Sequence, residues 1–317
     1  MAAPRLYNLP ADAVWFITGS SSGMGLGLAQ QIAAHPTHRL VATARNSSRL
    51  SGLLPQSDRV HIVDLDVTSD NAIDAAVDSA LAKFGRIDVM VNNAGYGLMG
   101  DTESALEPEG QAKARKQVET NLWGTTRLTI HAVRIFRDVN PKTGQQGGVV
   151  LNVTSLGGFA GYPGYAFYHA AKFGVEGFTE SISKEVRPEW NIHFCIIEPG
   201  GARSNFASLS MDWFAPHAAY TAVDSPTRIM ESYVKNPDMQ KTWTPPERVA
   251  NAMYQVVALA KSKPLPVRLP LTEGAWHVIK NEVAAVDKEL EEVKALSLSV
   301  EIDDANRVGD FLVNNYS

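Results

Sequence analysis

The sequence predicts a single doubly wound α/β domain on a parallel sheet, with a C-terminal helical extension. Three observations carry that prediction. From residue 13 onward, short β-rich runs alternate with longer helical ones, and repeated β–α units of this length join parallel strands by right-handed crossovers. The strand-like runs are apolar throughout rather than alternating, as strands covered by helices on both faces must be. A glycine-rich segment, TGSSSGMG (18–25), separates the first strand from the first helix.

The elements follow in order. AVWFIT (13–18) reads as a strand and 24–35 as a helix, followed by the strands RLVATA (39–44) and RVHIVD (59–64). A helix is expected over 69–84, a strand at IDVMVN (87–92), and a long helical region over about 103–138. GVVLNV (148–153) reads as a strand, 165–186 as a helix, and NIHFCIIE (191–198) as a strand. From 205 to about 244 the chain reads as irregular, with no sheet pattern. A helix over 247–262 and a strand at PVRLP (266–270) end the domain. The polar stretch 140–148 reads as an exposed insertion.

Composition narrows the function. With 317 residues, 44% hydrophobic and 20% charged, the chain is long enough for a sizeable core. A net charge of −5 argues against nucleic acid or an anionic membrane as partner. One cysteine excludes a disulfide framework and any multi-cysteine metal site. Cys195, inside IHFCII, reads as a buried strand residue, and neither His169 nor His193 has a second ligand at metal spacing, so no metal is expected. No run approaches the roughly 18 apolar residues of a membrane span, and MAAPRLYNLPAD does not read as a signal peptide. The expected location is cytoplasmic.

The glycine pattern points to a dinucleotide. Gly19 permits a tight turn, while Gly23 and Gly25 leave room for a pyrophosphate and for close helix–strand packing. Ser21 and Ser22, with Ser20, add hydroxyl donors, and the helix beginning at Met24 offers amide N–H groups to an anion. An acid about twenty residues past the glycines would bind the ribose 2′-hydroxyl of NAD. That position holds Arg45, with Arg49 close behind and no acid between Arg39 and Arg49. An arginine suits a 2′-phosphate, so NADP(H) is expected. Asp66 has two readings, an acceptor for an exocyclic amine with Val67 beside it, or a cap for the next helix. Asn93 and Gly95, in NNAG, read as a turn tying strands together at the edge where a cofactor would lie.

The segment VVLNVTSLGGFAGYPGYAFYHAAK (149–172) points to proton transfer. Tyr168 and Lys172 are four apart and share a helix face, while Ser155 lies thirteen residues before Tyr168 at a strand end. A free tyrosine has a pKa of about 10, and a neighbouring ammonium is expected to lower it. Serine can hold a carbonyl oxygen while charge develops on it. Tyr165 is seven residues from Lys172, about 10 Å along a helix and too far to be tuned by it.

Together TGSSSGMG, NNAG, Asn121 in NLWG, Ser155, YHAAK and PGGARS resemble the short-chain dehydrogenase/reductase superfamily, in order and in spacing, over roughly 13–270. The resemblance implies a Rossmann fold and a tetrad of Asn121, Ser155, Tyr168 and Lys172. Tyr168 would be the general acid in carbonyl reduction and the base in alcohol oxidation. Lys172 would tune it and hold the nicotinamide ribose, Ser155 would position the carbonyl, and Asn121 would order a relay water. Pro199, Gly200, Ala202 and Ser204 would touch the cofactor. On its residue type alone, Asn121 reads as an exposed mid-helix asparagine.

The resemblance gives the division into a catalytic domain, 1–270, with a substrate lid at about 203–244, and an extension, 271–317. Phe206, Met211, Trp213 and Phe214, with Phe159 and Tyr162, either line an apolar pocket or pack the lid on the core. The pocket reading suits a bulky, apolar ketone or alcohol. The tail carries Trp276, Ile279, Val283, Val286 and Leu290 at helical spacing, expected to pack on the body, with a partner-binding helix as the alternative. Family habit implies a homodimer or homotetramer through helices around 119–138 and 165–186. Non-redox or net-neutral chemistry in the same site is a second reading. A non-catalytic cofactor sensor is a third, disfavoured because all four tetrad residues are present.

Overall fold

The computed structural model describes residues 6–203, 210–300, 309–311 and 313–314. In chain order the strands are β1 (Val14–Ile17), β2 (Arg39–Ala44), β3 (Val60–Asp64), β4 (Val89–Asn92), β5 (Gly97–Met99), β6 (Gly148–Val153), β7 (Ile192–Pro199), β8 (Met211–Trp213) and β9 (Arg268–Leu271). Seven of them form one sheet in the order β3-β2-β1-β4-β6-β7-β9. Every pairing is parallel, for example Val14 with Arg39 and Val89 with Val149. The architecture is the doubly wound, Rossmann-like one that the sequence predicts.

Side chains alternate across β1, and each face has its own core. Trp15 and Ile17 pack with Leu40 against α1 (Gly23–Ala34) and α8 (Pro246–Leu259), through Leu28, Ile32, Val249 and Met253. Val14 and Phe16 pack with Val41, Met90 and Val150 against α2 (Asp70–Phe84) and α4 (Gly124–Asp138). Local signals set the helix ends. For α2, the Ser69 hydroxyl accepts from Ala72 N–H at 3.3 Å, and Gly85 closes the helix at φ +77°.

Three expectations are corrected. The helical region expected over 103–138 is broken: α3 (Pro108–Val118) starts at a proline, and a π-helical turn, Glu119–Trp123, separates it from α4. The segment expected to be irregular contains β8, which pairs in parallel with β5, and two helices, α6 (Pro226–Lys235) and α7 (Pro237–Thr242). Both helices start on a proline behind a capping residue: Ser225 accepts from Arg228 N–H and Asn236 from Asp238 N–H. The loop at 140–148 is exposed at its tip but anchored at its root. Asn140 is fully buried, and its amide donates to the Ile87 and Gly147 carbonyls at 2.6 and 2.8 Å.

Asn140→Ala removes those donors and leaves buried carbonyls unpaired, which is expected to cost about 2 kcal/mol. Chemical denaturation reads it as a lower midpoint with unchanged slope.

The 20-residue helix α5 (Ala166–Glu185) runs beside β6 and β7 and carries Tyr168 and Lys172. The last long helix, α9 (Glu273–Leu298), meets the body through Ala275 and Ile279. From Val283 onward its apolar stripe is exposed, with Val283, Val286 and Leu290 at 46 to 61%. The packing expected along the whole stripe is thus confined to its first turns.

Candidate active site

The candidate site lies at the carboxyl ends of the parallel strands, where β1 and β4 neighbour each other and the chain leaves in opposite directions, the place where open α/β sheets bind ligands. Helix α1 begins at Gly23, so its first amides face that crevice. Gly19 takes φ +68°, and a Cβ on Gly25 would lie 2.4 Å from both the Gly19 carbonyl oxygen and Asn93 Nδ2. No side chain fits there. The turn is fastened to β4: Asn93 Nδ2 donates to the Thr18 carbonyl at 3.0 Å, and the Thr18 hydroxyl accepts from Asn93 and Ala94 N–H at 2.9 Å.

A groove of about 440 Å³ results, lined by Gly19, Ser21, Ser22, Gly23, Met24, Arg45, Asp66, Val67, Asn93 and Gly95. Ser20 turns inward instead, donating to the Ile17 carbonyl at 3.0 Å. Asp66 does not cap α2, whose cap is Ser69; it braces the turn before that helix, its Oδ1 accepting from Thr68 N–H and from the Thr68 hydroxyl at 2.9 and 2.7 Å. Burial works to raise its carboxyl, but those hydrogen bonds and the charges of Arg45 and Lys116 outweigh it and lower its pKa. Lys116 and Thr120 also line the groove, and the sequence analysis missed them because a helix lysine reads as surface. The groove combines a helix N-terminus, the Ser21 and Ser22 hydroxyls and two cations beside an acid, donor chemistry that fits a dinucleotide phosphate.

The groove opens into a cavity of about 520 Å³, with Met24, Asn93, Gly95 and Tyr96 common to both. Ser155, Tyr168, Lys172, Pro199, Gly200 and Ala202 line this cavity. Ser204 and Phe206 lie outside the described residues. In the cavity wall the Ser155 hydroxyl lies close enough to Tyr168 to pull its pKa down. Lys172 is 5% exposed, donates to the Val153 carbonyl at 2.8 Å and lies 5.8 Å from the Tyr168 ring centre.

Asn121 is fully buried in the π turn, contrary to the exposed position its residue type suggests. Its amide pairs both ways with the Tyr96 backbone, accepting from N–H at 3.0 Å and donating to the carbonyl at 2.8 Å. Gly95 is what lets these parts meet. A Cβ there would lie 3.1 Å from Asn121 Oδ1 and 3.6 Å from Lys172 Nζ.

The electrostatics differ from the sequence expectation that Lys172 lowers the Tyr168 pKa. Burial dominates: it pushes the phenol up to about 12, with the Ser155 hydrogen bond pulling the other way. Burial also pushes the Lys172 ammonium down to about 8, opposed by the charge of Glu176. At neutral pH Tyr168 therefore holds its proton and Lys172 is mostly charged.

The apolar wall differs too. Tyr162 lines the cavity as expected, but its partners are Tyr165, Met230, Tyr233, Val234, Trp243 and Val278. Met211 lines the groove instead. Pairing of β8 with β5 carries the following residues away. Phe214 stacks edge-on to Phe167 at 5.9 Å, and Trp213 lies under the Lys235 ammonium at 4.2 Å. Phe159 is not among the lining residues. A buried ion pair ties α6 to the turn after β5, with Arg228 donating to Asp101 Oδ1 at 2.9 Å.

Fold and groove together define a Rossmann-type protein with a groove suited to a dinucleotide. Its family follows from comparison: residues 13–213 match the model described as short chain dehydrogenase, and the chain belongs to that family. It is 42% identical over 294 residues to the oxidoreductase calM of Penicillium decumbens, covering 92% of this chain and 94% of that one. A short-chain dehydrogenase from Streptomyces avermitilis superposes with a TM-score of 0.78 at 29% identity, over 91% of this chain and all of that one. The 3-ketoacyl-(acyl-carrier-protein) reductase of Brucella melitensis, solved with NADH, gives 0.64 at 26% identity, over 83% of this chain and 98% of that one.

Among the described residues no helix is long and apolar enough to cross a membrane.

Proposed function

We propose that this short-chain dehydrogenase reduces a bulky, apolar ketone to a secondary alcohol with NADPH. The observation that carries the reading is the Ser155–Tyr168 hydroxyl pair on the wall of a mostly apolar cavity that opens into the Arg45 groove. The bound cofactor supplies a hydride at C4 of its nicotinamide. Ser155 holds the carbonyl oxygen, and Tyr168 gives that oxygen its proton as the alkoxide forms. Lys172 stabilises the phenolate left behind and restores its proton. Asn121 fixes the Tyr96 backbone beside Gly95 and keeps that side of the site in register. The groove residues Gly19 to Met24, Asn93 and Pro199 to Ala202 hold and orient the dinucleotide, with Ser204 joining them.

Residues 1–270 form the catalytic domain in this reading, with a lid at about 203–244 and an extension at 271–317. Trp123, Ile130 and Phe173 are about half exposed on the π turn, α4 and α5, which supports a homodimer or homotetramer through those helices. The lone, buried Cys195 is in keeping with a reducing cytoplasm.

Cofactor competition tests the nucleotide. NADPH is expected to be preferred over NADH by about a hundredfold in kcat/KM, and Arg45→Asp to reverse the preference by taking a cation from the 2′-phosphate and offering an acceptor to a 2′-hydroxyl. Equal efficiency with both nucleotides would contradict the assignment.

A further inference from the structure

Behind Lys172, away from the cavity, the fold buries charged groups for which the proton step has no use so far. Glu176 lies one helical turn further along α5 and is 4% exposed. Its Oε1 accepts from the Thr154 hydroxyl at 2.7 Å and its Oε2 from Arg268 Nε at 3.1 Å. Arg268, on β9, is shared with Glu180, whose Oε2 accepts from it at 2.7 Å. Glu198, on β7, has no solvent exposure, and no hydroxyl, amide or guanidinium among the described residues donates to its carboxyl oxygens; its carboxyl neighbours that of Glu176.

Tyr168 and Glu176 share the helix of Lys172, Val153 at the end of β6 accepts from it, and Asn121 approaches it from the π turn. On the far side, Thr154 just after β6, Cys195 and Glu198 of β7 and Arg268 of β9 gather around Glu176. Two buried glutamates close together cannot both be ionised cheaply. Glu176 accepts hydrogen bonds from a hydroxyl and a guanidinium, whereas Arg268 reaches Glu198 only through its charge. Burial and the charge of Glu176 push the Glu198 acid up to about 8. Burial raises the Glu176 acid too, but the Thr154 hydrogen bond, Arg268 and the charge of Lys172 oppose it, so of the two glutamates Glu176 is the better placed to carry the charge beside Lys172.

We propose that Glu176 is a positioning residue for the proton step, its carboxylate, held by Thr154 and Arg268, being the counter-charge that keeps Lys172 protonated. The inference rests on the reductase reading for its purpose but not for its measurement. An ammonium buried without a counter-charge gives up its proton more readily. Lys172 without Glu176 would then be neutral at the pH where it must restore the Tyr168 proton.

The test is an NMR titration of the full chain labelled with ¹³C at lysine Cε, with the Lys172 signal identified by its loss in Lys172→Met. Glu176→Gln is expected to lower the Lys172 midpoint by about one pH unit and to move the alkaline limb of the reduction profile down with it. Glu198→Gln removes an acid that ionises in the same pH range but whose charge does not act on Lys172 as that of Glu176 does, and should move the midpoint by less than Glu176→Gln. An unchanged midpoint in a folded Glu176→Gln protein would overturn the proposal and leave Glu176 as a bracket for Arg268. Should that variant not fold, Thr154→Val decides. It strips a donor from the carboxylate and is expected to lower the midpoint in the same direction by less, whereas an unchanged or raised midpoint overturns the proposal. Because the titration needs no turnover, absence of ketone reduction would sink the reductase reading without touching this result.

Discussion

Tyr168→Phe is expected to lower kcat/KM for carbonyl reduction by about a thousandfold, within the range assigned to general acid catalysis, while NADPH binding is largely retained. The expectation separates chemistry from structure. The ring of Tyr168 packs with Met99, Tyr165, Met211 and Val234, and phenylalanine keeps that packing. What disappears is the hydroxyl beside Ser155. Tyr165 lines the same cavity but does not substitute for it. Burial, with Tyr168 and Tyr233 beside it, pushes its phenol up, it has no Ser155 hydroxyl to pull it down, and it is seven residues from Lys172. Single-turnover kinetics with pre-bound NADPH would show a slow chemical step in the variant and an unchanged cofactor fluorescence on binding.

Lys172→Met is expected to cost about a hundredfold in kcat and also to change the pH profile. In the wild type, Lys172 is charged below its pKa of about 8 and neutral above it. Reduction should therefore fall as pH rises through that value, because a neutral amine neither stabilises the Tyr168 phenolate nor returns a proton. Tyr168, with its pKa near 12, keeps its own proton across the same range and adds no limb there. The methionine variant should show a low, flat profile. The stability effect of Lys172 runs in the opposite sense. Between about 8 and the ordinary lysine value the unfolded chain binds the extra proton, so this residue's contribution to stability rises with pH in that window.

Most of the sheet was legible because buried parallel strands write continuous apolar runs: RLVATA and GVVLNV coincide with β2 and β6 residue for residue. The small strands β5 and β8 are three residues each, too short to carry a period, and their pairing is non-local. Helices α6 and α7 had readable starts, Ser225-Pro226 and Asn236-Pro237, but prolines in a segment expected to be loop obscured them. The cavity wall followed that error, since placing Trp213 and Phe214 depends on the register of β8 with β5.

At the candidate site, spacing alone placed Tyr168 and Lys172 on one helix face and brought Ser155 within reach. Burial was not legible. It inverts the expected direction of the Tyr168 shift and hides Asn121 in a π turn that the run ETNLW does not announce. Glu176 and Glu198 look like ordinary helix and strand-end acids until β7, β9 and α5 are packed together.

The central claim is tested most directly by NADPH oxidation against a panel of bulky, apolar ketones, with product analysis for the matching alcohol. The account predicts at least one ketone reduced with one alcohol formed per NADPH consumed, and larger apolar ketones favoured over small or polar ones. Bound NADPH with no consumption across the panel, or product formed with no net consumption, would contradict it.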